Sequence, residues 1–297
     1  MLIIITKNIK FLEFIYKIPF IKHFIMCDIS NVNKIENKKI YNLQFRRIFV
    51  TDGTSKQTAE NRFKELDNIS LNYIQKNNNI IHDVAVSSGI TSVNFHDFLV
   101  DMKIDFIFFV SDKYSLVKIA KHNSMTFVCD NKNKLMFGYI SFFLASSLNK
   151  FFPISNFLFF ILKKYFKKLS TNKTFTSIML YDKKLIHLIN NNKISDIEYD
   201  IFESSHENYF TFVRCMNILN LSYFTENKIV DSLQNISKSI KQNGILMIGR
   251  TINEKNHVSF YKKNDNTLLF LEKINNGSEI EHLIEKINKL NLNIKII

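Results

Sequence analysis

Two short apolar runs, separated by a tight turn and a helix-length stretch, constrain this chain more than anything else in it. Ile80-Ile81-His82-Asp83-Val84-Ala85-Val86 is apolar at nearly every position, the pattern of a strand covered on both faces. It breaks at Ser87-Ser88-Gly89, and Thr91 to Leu99 then reads as a helix. Asp105-Phe106-Ile107-Phe108-Phe109-Val110 is a second buried strand, ending at Ser111-Asp112. Strand, turn, helix, strand and acid is the layout of a parallel βαβ unit of the nucleotide-binding kind. Such sheets collect ligands beyond the carboxyl ends of their strands.

The later sequence extends the same pattern. Phe210 to Met216 reads as a strand, and Asn227 to Lys241 as an amphipathic helix with Ile229, Val230, Leu233, Ile236 and Ile240 inward. Asn243-Gly244 stops the helix, and Ile245 to Arg250 forms a further strand. His257 to Tyr261 and Thr267 to Lys273, joined by a polar turn, predict an antiparallel hairpin, and Ser278 with Glu281 matches a capping box. The expected fold is therefore α/β, a mostly parallel sheet with an antiparallel C-terminal strand hairpin, flanked by helices. Upstream, Phe63, Leu66, Ile69 and Tyr73 share one helical face, with Thr54 or Ser55 as the cap. Residues 28–45 are polar and Asn-rich, the composition of a mobile connection. The reading is an N-terminal apolar and basic segment with linker, 1–53, before a domain over 54–297.

With 297 residues and 46% hydrophobic content, the chain can build a large core. Its net charge of +13 favours an anionic partner, although the abundance of Asn, Lys, Ile and Phe matches AT-rich coding. Cys27, Cys129 and Cys215 are scattered, so no metal site or disulfide framework is expected, and a reducing cytoplasmic setting is the default. Lysines at intervals through Met1 to Met26 argue against a secretory signal, and leave an amphipathic segment packed on the domain or a membrane-surface helix. Residues 113–173 carry eleven Lys and one acid, Asp130, so 11 − 1 = +10. That stretch holds two apolar runs, Leu135 to Leu148 and Phe151 to Leu162, both shorter than the ~20 residues that span a bilayer. The basic, Phe-rich part at about 130–173 reads as an insertion. Residues 135–168 lie as a shallow hairpin on an anionic membrane surface, peripheral on its inner face, or form a helical lid over the α/β core, with a hairpin spanning the bilayer as the third and least favoured reading.

The turn after the first strand lacks the G-x-G-x-x-G of dinucleotide binding, which disfavours a nicotinamide-dependent oxidoreductase. Asp83 to Gly89 instead resembles the first motif of class I S-adenosylmethionine (SAM)-dependent methyltransferases, an acid followed by G-x-G-x-G. Ala85 and Ser87 stand at the first two glycine positions and Gly89 at the third. Asp112, 23 residues after Gly89, matches the acid that receives the ribose hydroxyls in that family. Ile197 to Phe202 resembles the third strand and its loop, placing Asp200 beside the adenine. Phe212 to Asn220 is similar to the fourth-strand segment flooring the transfer pocket, and Ile236 to Ile248 to the family's helix–L-x-P-G-G-x-L–strand segment, with Asn243-Gly244 for Gly-Gly and no proline. The resemblance covers about 78–112 and 196–275, and implies a Rossmann-like fold, S-adenosyl-L-methionine as cofactor and methyl transfer to an unidentified acceptor.

Residue by residue, alternatives stay open. Asp112 can cap a helix, Asp200 can be a surface turn acid, and Asn217 can satisfy loop backbone. Arg214, Asn217 and Tyr223 near the fourth strand's end, with His257 after the fifth, are the candidate catalytic residues, and Asn220 and Arg250, the latter at the end of the fifth strand, are further pocket candidates. His257 is a candidate base or a structural histidine. Arg214 within an apolar strand needs an anion, from the protein or from a ligand. The N/D-P-P-Y/F signature of amino-methylating nucleic-acid enzymes is missing at Asn217-Ile218-Leu219-Asn220, which disfavours that reading; a basic surface can still hold RNA, so an RNA methyltransferase and a non-catalytic SAM-binding module are the alternatives.

Overall fold

The computed structural model describes residues 3–46, 60–147, 153–169, 174–203 and 206–293. The chain divides into two units, Met1–Gln57 with Tyr114–Lys183, and Thr58–Lys113 with Lys184–Ile297. The first unit opens with β1 (Ile4–Thr6), α1 (Ile9–Tyr16), β2 (Ile25–Cys27) and α2 (Lys38–Arg46). Next come α3 (Lys64–Ser70), β3 (Asn79–Val84), α4 (Ile90–Asp101) and β4 (Phe106–Ser111) of the second unit. The first unit resumes with β5 (Leu116–His122), β6 (Met125–Cys129), β7 (Leu135–Ile140), β8 (Phe143–Ala145), α5 (Pro153–Leu169) and β9 (Thr176–Met179). The second closes the chain with α6 (Lys183–Asn190), β10 (Ser195–Asp196), β11 (Phe210–Met216), α7 (Glu226–Ser239), β12 (Ile240–Ile252), β13 (Lys255–Asn264), β14 (Thr267–Ile274) and α8 (Glu281–Asn293).

In the second unit the sheet order is β10-β4-β3-β11-β12-β13-β14. The first five strands are parallel and β13 and β14 alternate in direction. Numbered within the unit, the parallel strands run 3-2-1-4-5, the doubly wound arrangement, with the switch point between β3 and β11. Ile229, Leu233 and Ile236 of α7 and Leu283, Ile284 and Ile287 of α8 cover one face against Val213, Cys215 and Leu246. The largely apolar character of β3 and β11 follows from burial along nearly their whole length, and it is why their positions were predictable. The expected Rossmann-like α/β fold with an antiparallel C-terminal hairpin is the fold observed.

The first unit has its own sheet, ordered β2-β1-β8-β7-β6-β5-β9. The domain boundaries thus differ from those expected at 53/54 and about 130–173: the inserted stretch is 114–183, and it builds a sheet with the N-terminal residues. Ile4 of β1 pairs with Phe143 of β8, a partnership no local pattern announces. Residues 28–45 are not a mobile connection, because Ile29, Val32, Ile35, Ile40, Tyr41 and Phe45 are all buried in this unit's core. Leu135 to Ala145 is a strand pair rather than part of a helical hairpin; an apolar run covered on both faces has no period with which to separate helix from strand. Gly138 permits the packing of α5, since a Cβ there would lie 2.5 Å from Leu162 Cδ2.

Two smaller expectations also change. The third parallel strand is only Ser195–Asp196, so Ile197 to Phe202 follows it rather than forming it. Glu281 bonds Ser259 Oγ instead of closing a capping box with Ser278. The proposed caps Thr54 and Ser55 lie outside the described residues.

Candidate functional site

The carboxyl ends of β3 and β4 meet at a bend with an unusual backbone. Ala85, Ser87 and Gly89 all have left-handed φ, at 57°, 59° and 75°. These are the three positions at which the resembled motif carries glycine, so the conformation that glycine serves is kept while two of the glycines are not. Asp112, just past β4, accepts the Ser87 N–H at 2.8 Å on Oδ2. The bend and this acid therefore lie together at the carboxyl edge of β3 and β4, where Gly89 caps α4. Leu185 of α6, itself buried, packs there so closely that a Cβ on Gly89 would lie 2.0 Å from its Cδ2.

Alanine in the left-handed region costs roughly 1–2 kcal/mol, against ~0.5–1 kcal/mol for the added freedom of glycine in the unfolded chain. Ala85→Gly is therefore expected to stabilise the protein by up to about 1 kcal/mol, read as a rise of ~2–4 °C in thermal midpoint for a unit this size. An unchanged or lower midpoint would mean the bend is not strained at Ala85.

Asp83 is not presented to this edge. Its Oδ2 accepts from Ser92 Oγ at 2.6 Å and from Arg214 Nη2. Arg214 is fully buried, pairs also with Asp67 of α3 at 2.9 Å, donates to Thr91 O at 3.1 Å, and lies over the Phe95 ring at 4.5 Å. Of the two anion sources open to it, the protein supplies both charges. Arg214 thus has no surface with which to touch a substrate, which corrects its place among the catalytic candidates. Burial raises the Asp67 carboxyl to about 6 despite the opposing pull of Arg214, with the Asp83 charge adding to the rise. Burial works against the Arg214 charge as well, but the two carboxylates outweigh it and hold the guanidinium above its usual range.

The ends of β11 and β12 form a second polar cluster. Asn217, left-handed at φ 62°, accepts the Thr251 N–H on Oδ1 at 2.8 Å and so ties β11's end to β12. Thr251 Oγ1 accepts from Arg62 Nε at 3.0 Å and donates to Asn256 Oδ1 at 2.8 Å. Arg250 Nη1 contacts both Glu279 oxygens at 2.9 Å, and Glu279 also accepts the Leu221 N–H. His257 faces Arg250 across the β12–β13 ladder, and its Nδ1 accepts the Asn276 N–H at 3.3 Å. Tyr223 is exposed beside this cluster, and Asn220 bonds within its own loop. Asp200 accepts the Phe202 N–H in a turn beyond β10. Asp67, Arg62, Thr251, Asn256 and Glu279 were not nominated from sequence, where each looks like an ordinary polar residue.

Two cavities, about 270 and 680 Å3, lie at the opposite, amino-terminal edge of the parallel strands, lined by residues such as Asn79 and Phe106, and Asn208 and Gln242. They are away from the carboxyl edge where ligands of such sheets collect. Among the described residues no cluster of His, Cys, Asp or Glu is arranged to hold a metal.

No family model and no curated protein matches the chain. Among solved structures, a Pyrococcus horikoshii OT3 protein aligns at 11% identity over 77% of this chain and 79% of its own, TM-score 0.33. The 1,6-didemethyltoxoflavin-N1-methyltransferase of Burkholderia thailandensis, a structure with S-adenosylhomocysteine bound, aligns at 8% over 77% and 68%, TM-score 0.36. A SAM-dependent methyltransferase of Clostridium acetobutylicum aligns at 8% over 78% and 80%, TM-score 0.33. Of two longer neighbours the chain spans only 28% and 25% of the length. Most of these neighbours are described as methyltransferases, but likeness at this level carries no argument about chemistry.

Proposed function

We propose that the second unit binds S-adenosylmethionine at the carboxyl edge of β3 and β4 and transfers its methyl group to an acceptor not yet identified. The observation that supports this most is the convergence of Asp112 on the left-handed bend at Ala85, Ser87 and Gly89. A carboxylate at that position offers paired acceptors to a ribose diol, and the bend brings backbone close enough to meet the rest of the ligand. Asp83 does not fit the cofactor role the resemblance implies, since Arg214 and Ser92 hold it. The cofactor supplies an already activated sulfonium methyl, so the protein's task is to position an acceptor in line with it. Tyr223, Arg250 and His257 border the edge where that acceptor would enter.

A non-catalytic SAM-binding module is the second reading, favoured by Leu185 packed against Gly89 and by the internal use of Asp83. Calorimetric titration should give saturable single-site binding of S-adenosylmethionine and no heat with NAD. Absence of S-adenosylmethionine binding sinks both readings. Transfer of labelled methyl from the cofactor into lipid, protein or RNA fractions of a lysate separates enzyme from binder.

A further inference from the structure

We propose that the outer face of α5 docks the protein on an anionic phospholipid bilayer surface. The helix is fixed from one side only. Leu162, with Leu158, Phe159 and Phe166, packs on Ala120, Phe127 and Ala145 of the first unit's sheet. Ser155 pins the first turn, accepting the Ser146 N–H and donating to Leu144 O, both at 3.1 Å. The opposite stripe leaves Ile154, Phe157 and Phe160 at 61%, 64% and 66% exposure, one below the other on successive turns. Single exposed apolar residues are ordinary; three large ones in a row on a helix are not.

The same stripe turns basic toward the carboxyl end. Lys164 and Lys168 follow Phe157 at intervals of seven and four residues, and Lys163 and Lys167 flank them, all exposed. The helix contains no acid. Among the described residues no helix is long and apolar enough to cross a membrane, and α5, at 17 residues, is only about 25 Å long. A helix of this kind lies in the interface, its phenylalanines at the acyl boundary and its lysine stems reaching along it to place ammonium groups at the phosphates. The charge selects the occupant. A second copy packed by two-fold symmetry would oppose four lysines to four lysines, whereas an anionic leaflet neutralises them, and residues 113–173 add the rest of a +10 stretch.

The test uses the full chain and flotation with phosphatidylcholine vesicles, with or without about a third phosphatidylglycerol. The protein should float with the anionic vesicles and stay in the soluble fraction with neutral ones. Phe157→Ser with Phe160→Ser should lower partitioning at least tenfold, and Lys164→Gln with Lys168→Gln about 20–30-fold, at roughly fivefold per lysine. Because these side chains are exposed, thermal melts of the variants should match the parent. Flotation that is absent, indifferent to anionic lipid, or unchanged in the variants overturns the proposal. A dimer seen by sedimentation and lost in Phe157→Ser/Phe160→Ser also overturns it, and gives the face to a second copy. None of these outcomes depends on whether the second unit binds S-adenosylmethionine.

Discussion

Arg214→Met is expected to destabilise the protein by about 3–5 kcal/mol, lowering its thermal midpoint by ~6–20 °C. The substitution leaves Asp67 and Asp83 buried with their shared cation gone, and it removes the guanidinium that lies over the Phe95 and Phe63 rings. A buried pair broken from one side costs far more than one replaced as a whole. Arg214→Met combined with Asp67→Leu and Asp83→Asn should therefore recover much of the loss. If circular dichroism shows Arg214→Met melting with the parent while cofactor binding or turnover fails, the guanidinium serves a ligand and the internal reading is wrong. The same cluster sets a pH dependence. Asp67 is raised in the folded state to about 6 from 3.8, so the folded protein binds its proton more tightly than the unfolded chain. Its contribution is full below the unfolded value and is lost as pH rises toward 6, so stability falls with pH across that window. Asp67→Asn should flatten the slope.

Arg214 also shows how far residues can be read before a fold is known. A guanidinium inside an apolar strand demanded an anion, and Asp83 on the neighbouring β3 was a visible candidate. Asp67 was not, because the short α3 carries it among Lys64, Glu65 and Asn68, and nothing in that sequence separates a buried acid from a solvated one. The parallel core was legible for the reason that β3 and β11 and the central part of β12 are buried, apolar runs flanked by turns. The first unit was not, since its sheet joins strands more than a hundred residues apart and its strands β1, β2 and β8 are three residues each. The cluster of Arg62, Thr251, Asn256 and Glu279 escaped for a related reason: its members come from three separate stretches that meet only at the strand ends. Glu279 was hidden further by the apparent capping box around it.

Asp112→Ala is expected to weaken S-adenosylmethionine binding by at least a hundredfold, because it removes two roles together. The carboxylate fixes the bend through the Ser87 N–H, and under the proposed reading it accepts the ribose hydroxyls as well. Each charge-assisted bond of this kind is worth ~1.5–3 kcal/mol, and a bidentate loss exceeds one such bond. Alanine alone does not distinguish lost recognition from a collapsed bend, so the conservative variant decides. Asp112→Asn keeps an acceptor for Ser87 and replaces one of the paired oxygens by a donor, which should hold the melting midpoint and still reduce affinity about tenfold or more. A ligand lacking the ribose hydroxyls should then bind parent and Asp112→Asn alike. Equal S-adenosylmethionine affinity in parent, Asp112→Asn and Asp112→Ala would leave Asp112 as a loop brace, and the carboxyl edge of β3 and β4 would lose its claim on the cofactor.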